Sequence, residues 1–336
     1  MGEFFKLLKE GNKPSLLAAI VNTVIAILKG LAYFFTGNVA MFAEMMHSLG
    51  DAANQFFVFI GSSLSKKAPT PRFPNGFGRV VNLVCLGAVI IVGILSYETI
   101  KEGWHHLLHP VESDPSKVWI NLLVLGIAIA LEMTVLYKAG KEILHDAGLK
   151  GRGLQPFTTA FANLDRAKPA TKLVFMEDLV ATSGGVLAFI AVILANYANL
   201  YWAEGIVSII IGLMMFYVVG KVFLENARGA IGETDEEMLN HIAYLVADDP
   251  NIKDIQKLEV IKEGEFLHVE LVAEIDKNLT VAEADDIKDQ LVSLILSQRG
   301  VQDITISFDE NDGIHTWKHI KERPATLPTL KKPKDL

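Results

Sequence analysis

The chain is poor in cysteine, with a single one, Cys85, among its 336 residues. One thiol excludes an intrachain disulfide and any zinc cluster built on cysteines. There is no cationic surplus either. Lys and Arg number 31 against 39 Asp and Glu, a net charge of −8, which excludes a basic surface for nucleic acid. No nucleophile–base arrangement, phosphate loop or His-Glu-x-x-His pattern is present, so an enzyme is not expected. The first residues, Met1 to Pro14, are polar and lack the small-residue cleavage site of a signal peptide.

Apolar sequence is abundant. Hydrophobic residues make up 51% of the chain, and mean hydropathy is +0.32 even though the last third reads as ordinary soluble sequence. A membrane-spanning helix needs about 20 apolar residues. Six stretches qualify, at about 15–35, 39–64, 80–104, 118–139, 173–195 and 202–224, within a membrane domain covering 1–231. Trp104, Trp119, Tyr197, Tyr201 and Trp202 sit at span ends, where amphipathic rings prefer the interface. Thr36-Gly37-Asn38 makes a tight hairpin between spans one and two. Loop cations alternate in the same sense along the chain. Lys6, Lys9 and Lys13 precede span one. Lys66, Lys67, Arg72 and Arg79 follow span two, and Lys138, Lys141, Lys150, Arg152, Arg166, Lys168 and Lys172 flank the loop between spans four and five. The positive-inside rule then puts both termini in the cytoplasm. The short chain suits a bacterial inner (plasma) membrane.

After Gly232 the periodicity changes. A helix over Thr234–Ala247, alternating strands at Asp254–Ile261 and Glu265–Ile275 around a Lys-Glu-Gly turn, a helix over Val281–Gln298 and a strand at Val301–Phe308 give the order α-β-β-α-β. This is a small α+β domain over 232–312, followed by a Lys- and Pro-rich tail, 313–336, expected to be flexible.

Ionisable groups in the spans carry the functional argument, because a charge in hydrocarbon is costly and must face protein or water. Span two holds Glu44, His47, Asp51, Asn54 and Gln55. At 100° per residue they occupy one sector of about 100°. His47 and Asp51 are one turn apart and can reach one ion. Imidazole with carboxylate suits zinc, and also cobalt, nickel, manganese or iron. The plainer reading is a polar stripe that glues helices through a His–Asp pair and amide hydrogen bonds. Glu44 and Asn54 are the less central members of this metal set. Span five adds Glu177 and Asp178, followed by Thr182, Ser183, Gly184 and Gly185. Adjacent residues differ by 100° on a helix, so only one of the two acids can face the site. Lys29 in span one can neutralise an acid of the stripe or snorkel outward. Glu132 in span four suits a proton path, a partner for Lys138 or helix packing equally well. His105, His106 and His109 end span three. His105 and His109 can hold a departing ion, but an interfacial amphipathic turn accounts for all three.

Several of these motifs together resemble the cation diffusion facilitator family, over most of the chain. The span-two run Ala43-Glu44-Met45-Met46-His47-Ser48-Leu49-Gly50-Asp51 after the Thr36-Gly37-Asn38 hairpin is similar to the family's metal-binding signature. Phe73-Pro74-Asn75-Gly76-Phe77-Gly78-Arg79 resembles its loop before span three, although Phe73 stands where that loop has His. The usual His-x-x-x-Asp of span five is absent. Phe175-Met176-Glu177-Asp178 instead resembles a divergent branch with a Glu-Asp pair. The resemblance implies a homodimer in the lipid bilayer, with one divalent-metal site per protomer made of His47, Asp51 and Glu177 or Asp178. It implies exchange of Zn²⁺, or of Mn²⁺, Fe²⁺, Co²⁺, Ni²⁺ or Cd²⁺, for protons, with no resident cofactor. The cytoplasmic domain would be ferredoxin-like, with His268, Asp285 and Asp309 near the family's additional metal ligands. The alternative is a membrane-bound metal sensor or scaffold that does not transport.

Overall fold

The computed structural model describes residues 7–8, 11–111, 115–149, 151, 153–164, 169–264 and 266–317. Lys6, Lys9, Lys150, Arg152, Arg166 and Lys168 of the loop-charge argument, the side chain of Lys172 and the tail beyond Trp317 lie outside the described residues. Contacts divide the chain into two compact units. One comprises Met1–Ala68 with Val80–Ala227, and the other Pro69–Arg79 with Arg228–Leu336.

The first unit is helical. Helix α1 spans Lys13–Thr36. The Asn12 side chain caps it by accepting from the Ser15 amide, Pro14 lies in the first turn, and Gly37 ends it at φ +68°. Asn38 begins α2, Val39–Ser65, by accepting from the Met41 amide. Thr36-Gly37-Asn38 is thus a stop and a start in three residues. Then come α3 (Val80–Leu108), α4 (Val118–Asp146), α5 (Gln155–Ala162), α6 (Pro169–Tyr197) and α7 (Trp202–Ile231). Several helices outrun their apolar stretches. Helix α4 continues seven residues past 139 and α7 seven past 224, because hydropathy registers only the part in hydrocarbon. Helix α5 was missed altogether, since eight residues are too short for a periodic signal; Pro156 in its first turn fits the helix start.

Five of the long helices, α1, α3, α4, α6 and α7, are long and apolar enough to cross a membrane. Helix α2 has the length, 27 residues, but falls outside that set. Its polar stripe lowers its hydropathy, and its Ala40, Met41, Ala43, Glu44, His47 and Ser48 are buried among other helices. By contrast, Leu17, Ile20, Val24, Ile27 and Leu31 of α1 are exposed, as a lipid-facing surface requires. The bundle core joins Ala40, Met41 and Ala43 with Leu125, Ala188, Ala191, Val192, Ile211 and Met215. Small residues here let backbones approach closely. Helices α3 and α7 also approach backbone to backbone: a Cβ on Gly103 would lie 2.8 Å from the Gly205 carbonyl oxygen, and a Cβ on Gly205 would lie 2.8 Å from that of Gly103.

The second unit has α8 (Glu236–Ala247), β1 (Asp254–Glu263), β2 (Phe266–Ile275), α9 (Val281–Leu296) and β3 (Val301–Glu310). The sheet order is β1-β2-β3. The pair β1–β2 is antiparallel and β2–β3 parallel, α9 being the crossover. In a ferredoxin-like β-α-β-β-α-β pattern a strand precedes the first helix. Among the described residues that place holds only a single bridge, Thr234 to Ile261. The core joins Ile242, Val246, Val260, Leu271, Leu291 and Ile295, and Trp317 packs against it. The Thr316 amide donates to Asp254. Gly313 to Thr316 are themselves exposed, and the tail beyond Trp317 expected to be flexible lies outside the described residues. The loop Pro69–Arg79 belongs to this unit as well. Arg79 lies 3.2 Å from the Glu263 carboxylate, and Gly78 passes so close to the Glu263 carbonyl that a side chain there would collide with it.

Candidate metal site

Helix α2 carries its stripe into the bundle. His47 is buried, with its Nε2 3.4 Å from Asp51 Oδ2, one turn on. The alignment leaves Nε2 without a hydrogen bond, so its lone pair or proton is uncommitted. The Asp51 side chain is 44% exposed. Asn54 continues the face and is half-buried. Helix α6 brings Glu177 and Asp178, both half-buried, close enough to Asp51 for its charge to act on each. Asp178 Oδ2 is buried without a hydrogen-bond partner, while the backbone carbonyl of Asp178 accepts from Thr182 Oγ1. Among the described residues no three His, Cys, Asp or Glu side chains already converge on one ion-sized point. His47 with Asp51, and Asp178 across from Asp51, form two edges of a site rather than a closed set.

Glu44 is committed elsewhere. Its Oε2 accepts from Lys29 Nζ at 2.6 Å, with both side chains at 0% exposure. Lys29 also reaches Glu132 Oε1 of α4 at 3.3 Å. Lys29 therefore neutralises an acid of the stripe, and Glu132 pairs with Lys29 across the bundle. The glycines after Asp178 make room for this cluster. A Cβ on Gly184 would lie 2.9 Å from Glu44 Oε1, and one on Gly185 3.2 Å from Glu132 Oε2.

Sequence reasoning passed over Glu204, although an acid in an apolar span is the same signal that singled out Glu132. Glu204 is buried in the first turn of α7 and accepts from Asn38 Nδ2 at 2.6 Å. His106 Nε2 lies 3.9 Å from its other oxygen and 3.2 Å from the Tyr201 carbonyl. His106 thus anchors α3 to α7, while His105 and His109 stack on each other at 5.2 Å.

In the second unit the three candidates are dispersed. His268 pairs with Asp303 at 3.2 Å. Asp309, held by Gln256 at 3.0 Å, lies opposite Glu274 in the ladder, six residues along β2 from His268, roughly 20 Å away at strand rise. Asp285 is exposed on α9.

A bundle of long apolar helices with ionisable groups at its centre, joined to a small α+β unit, defines a multi-pass membrane protein. Residues 15–229 match the cation efflux transmembrane domain, and residues 234–311 the cation efflux protein cytoplasmic domain; the chain belongs to the cation efflux family, the cation diffusion facilitators. The chain is 26% identical over 296 residues to the frog (Xenopus laevis) "Proton-coupled zinc antiporter SLC30A9, mitochondrial", a match covering 87% of this chain and 51% of the relative. It is 22% identical over 313 residues to the "Magnetosome protein MamM" of Paramagnetospirillum magneticum, covering 91% of each. It is 24% identical over 263 residues to the "Metal tolerance protein C4" of Arabidopsis thaliana, covering 76% of this chain and 55% of that one. The chain spans about half the length of the zinc antiporters it matches.

Proposed function

We propose that this protein is a divalent metal cation efflux transporter, a proton-coupled antiporter for Zn²⁺ or a similar ion. In this reading it crosses the membrane six times, with α2 as the second span and both termini cytoplasmic, and works as a homodimer. His47 and Asp51 of α2 bind the ion with Asp178 of α6, and Glu177 is the flanking acid. Asn54 lies on the same face and can complete the shell.

The observation that carries the reading is the pair of uncommitted buried atoms, His47 Nε2 of α2 and Asp178 Oδ2 of α6, on either side of Asp51. Unsatisfied buried polar atoms are costly. Imidazole and carboxylate offered together suit zinc-class ions. Metal needs the deprotonated ligands, so metal and protons compete at the site. Rocking of the bundle around the site would expose it alternately to each side. Family membership and the similarity to proton-coupled zinc antiporters support the same reading.

The test is zinc flux into proteoliposomes with an internal metal dye and an imposed pH gradient. Wild-type flux should depend on the gradient, and Asp51→Ala and Asp178→Ala should each abolish it while Glu177→Ala retains part. Flux that ignores both substitutions would overturn the site. Zinc binding without any flux would favour the sensor reading.

A further inference from the structure

The Lys29–Glu44–Glu132 cluster carries one positive and two negative charges inside the bundle. Lys29 and Glu44 have fully buried side chains, and Glu132 is 16% exposed. One oxygen of each carboxylate, Glu44 Oε1 and Glu132 Oε2, is buried without a hydrogen-bond partner. An uncompensated charge in such surroundings costs several kcal/mol. A cation or a proton must relieve it. Lys29 already lies between the carboxylates, 2.6 Å from Glu44 and 3.3 Å from Glu132.

We propose that Glu132 is a proton-binding site of the transporter, separate from the metal ligands. The proton binds at Glu132 Oε2, leaving Oε1 as acceptor for Lys29 and turning the triad from net −1 to neutral. No bond other than O–H forms or breaks. The groups facing Glu132 are Lys29 from α1, Glu44 from α2 and Gly185 from α6, with the charge of His47 acting from further along α2. Glu44 lies three residues before His47, and Gly185 seven after Asp178. A change of charge at Glu132 therefore bears on the two helices that hold the ion in the reading above, on which the coupling role, though not the proton site, depends. Glu132 has the more exposed side chain of the two acids, which makes it the one that exchanges protons.

Two measurements test this on the intact protein. In lipid nanodiscs, infrared difference spectra across a pH titration should show a protonated-carboxyl C=O band that disappears as pH rises. Glu132→Gln should abolish it. Glu204→Gln, which removes a buried carboxyl elsewhere in the bundle, should leave it in place. In proteoliposomes, Glu132→Gln should keep zinc binding by calorimetry but lose zinc-driven proton flux by about an order of magnitude, with Glu132→Asp restoring part of it. Absence of the band in wild-type protein, or an unchanged proton-to-zinc ratio in Glu132→Gln, would overturn the proposal. A Glu132 band in a wild-type protein that moves zinc without protons would support the proton site and overturn the antiport reading instead.

Discussion

Lys29 lies at 0% exposure between two carboxylates, so the consequence of losing it can be estimated. Removing one member of a buried ion pair costs roughly 3–5 kcal/mol, since the other charge is left unpaired. Lys29→Met should therefore lower the denaturation midpoint of the bundle sharply, and adding Glu44→Gln should recover much of the loss. Additive losses in the double variant would contradict the pairing. A second residue-scale case lies in the other unit. Glu274 is 2% exposed, and its carboxyl is pushed above the usual range by burial and then by the nearby Asp312 and Asp254. Because the folded pKa exceeds the unfolded one, the protonated form is favoured by folding. That contribution is complete below the unfolded value near 4.3 and is lost as pH rises through the raised folded value. Glu274→Gln should flatten this loss, so that amide exchange in β2 at pH 8 is slower than in wild type. Equal pH profiles would rule the effect out.

Helices α3 and α7 cross where Gly103 and Gly205 meet backbone to backbone. A methyl on either must separate the helices, and overpacking of this kind costs about 1–3 kcal/mol. Gly103→Ala and Gly205→Ala should each lower the unfolding temperature in detergent. The double variant should cost less than the sum, since the first methyl already opens the contact. Full additivity would mean the helices do not cross there. At the other end of the chain, Thr280 and Glu283 form a reciprocal capping box at the start of α9. Thr280→Ala should cost that helix about 1 kcal/mol, read as faster amide exchange in its first turns.

The whole molecule has one free thiol, Cys85, buried in α3. Cys85→Ser gives a silent background for mapping the proposed topology. In cells, a cysteine at Lys67 should resist a membrane-impermeant maleimide until the membrane is opened, whereas one at Asn199 should react from outside. Labelling of both from the same side would defeat the six-span arrangement. Pro69–Arg79 clusters with the C-terminal unit through Gly78 and Arg79 against Glu263. The sequence offered no sign of this, since residues 79 and 263 are joined only by folding.

Much of the architecture was legible because its signals are local. Hydropathy over twenty residues marks a span, alternation of two marks a strand, and a period of 3.6 puts Glu44, His47 and Asp51 on one face whatever surrounds them. The α-β-β-α-β order and the Thr36-Gly37-Asn38 hairpin followed from such rules alone. Which member of that face pairs with what was not local. Glu44 meets Lys29 from α1, and through it Glu132 of α4, while Asp51 stands near both His47 and Asp178. Glu204 found Asn38 and His106 in the same way, and strand register sets His268 and Asp309 six residues apart along the ladder. Periodicity fixes the direction of a side chain on its own helix. Only tertiary structure decides which charge stands opposite, and in a low-dielectric interior that partner determines whether a buried acid is a salt bridge, a metal ligand or a proton carrier.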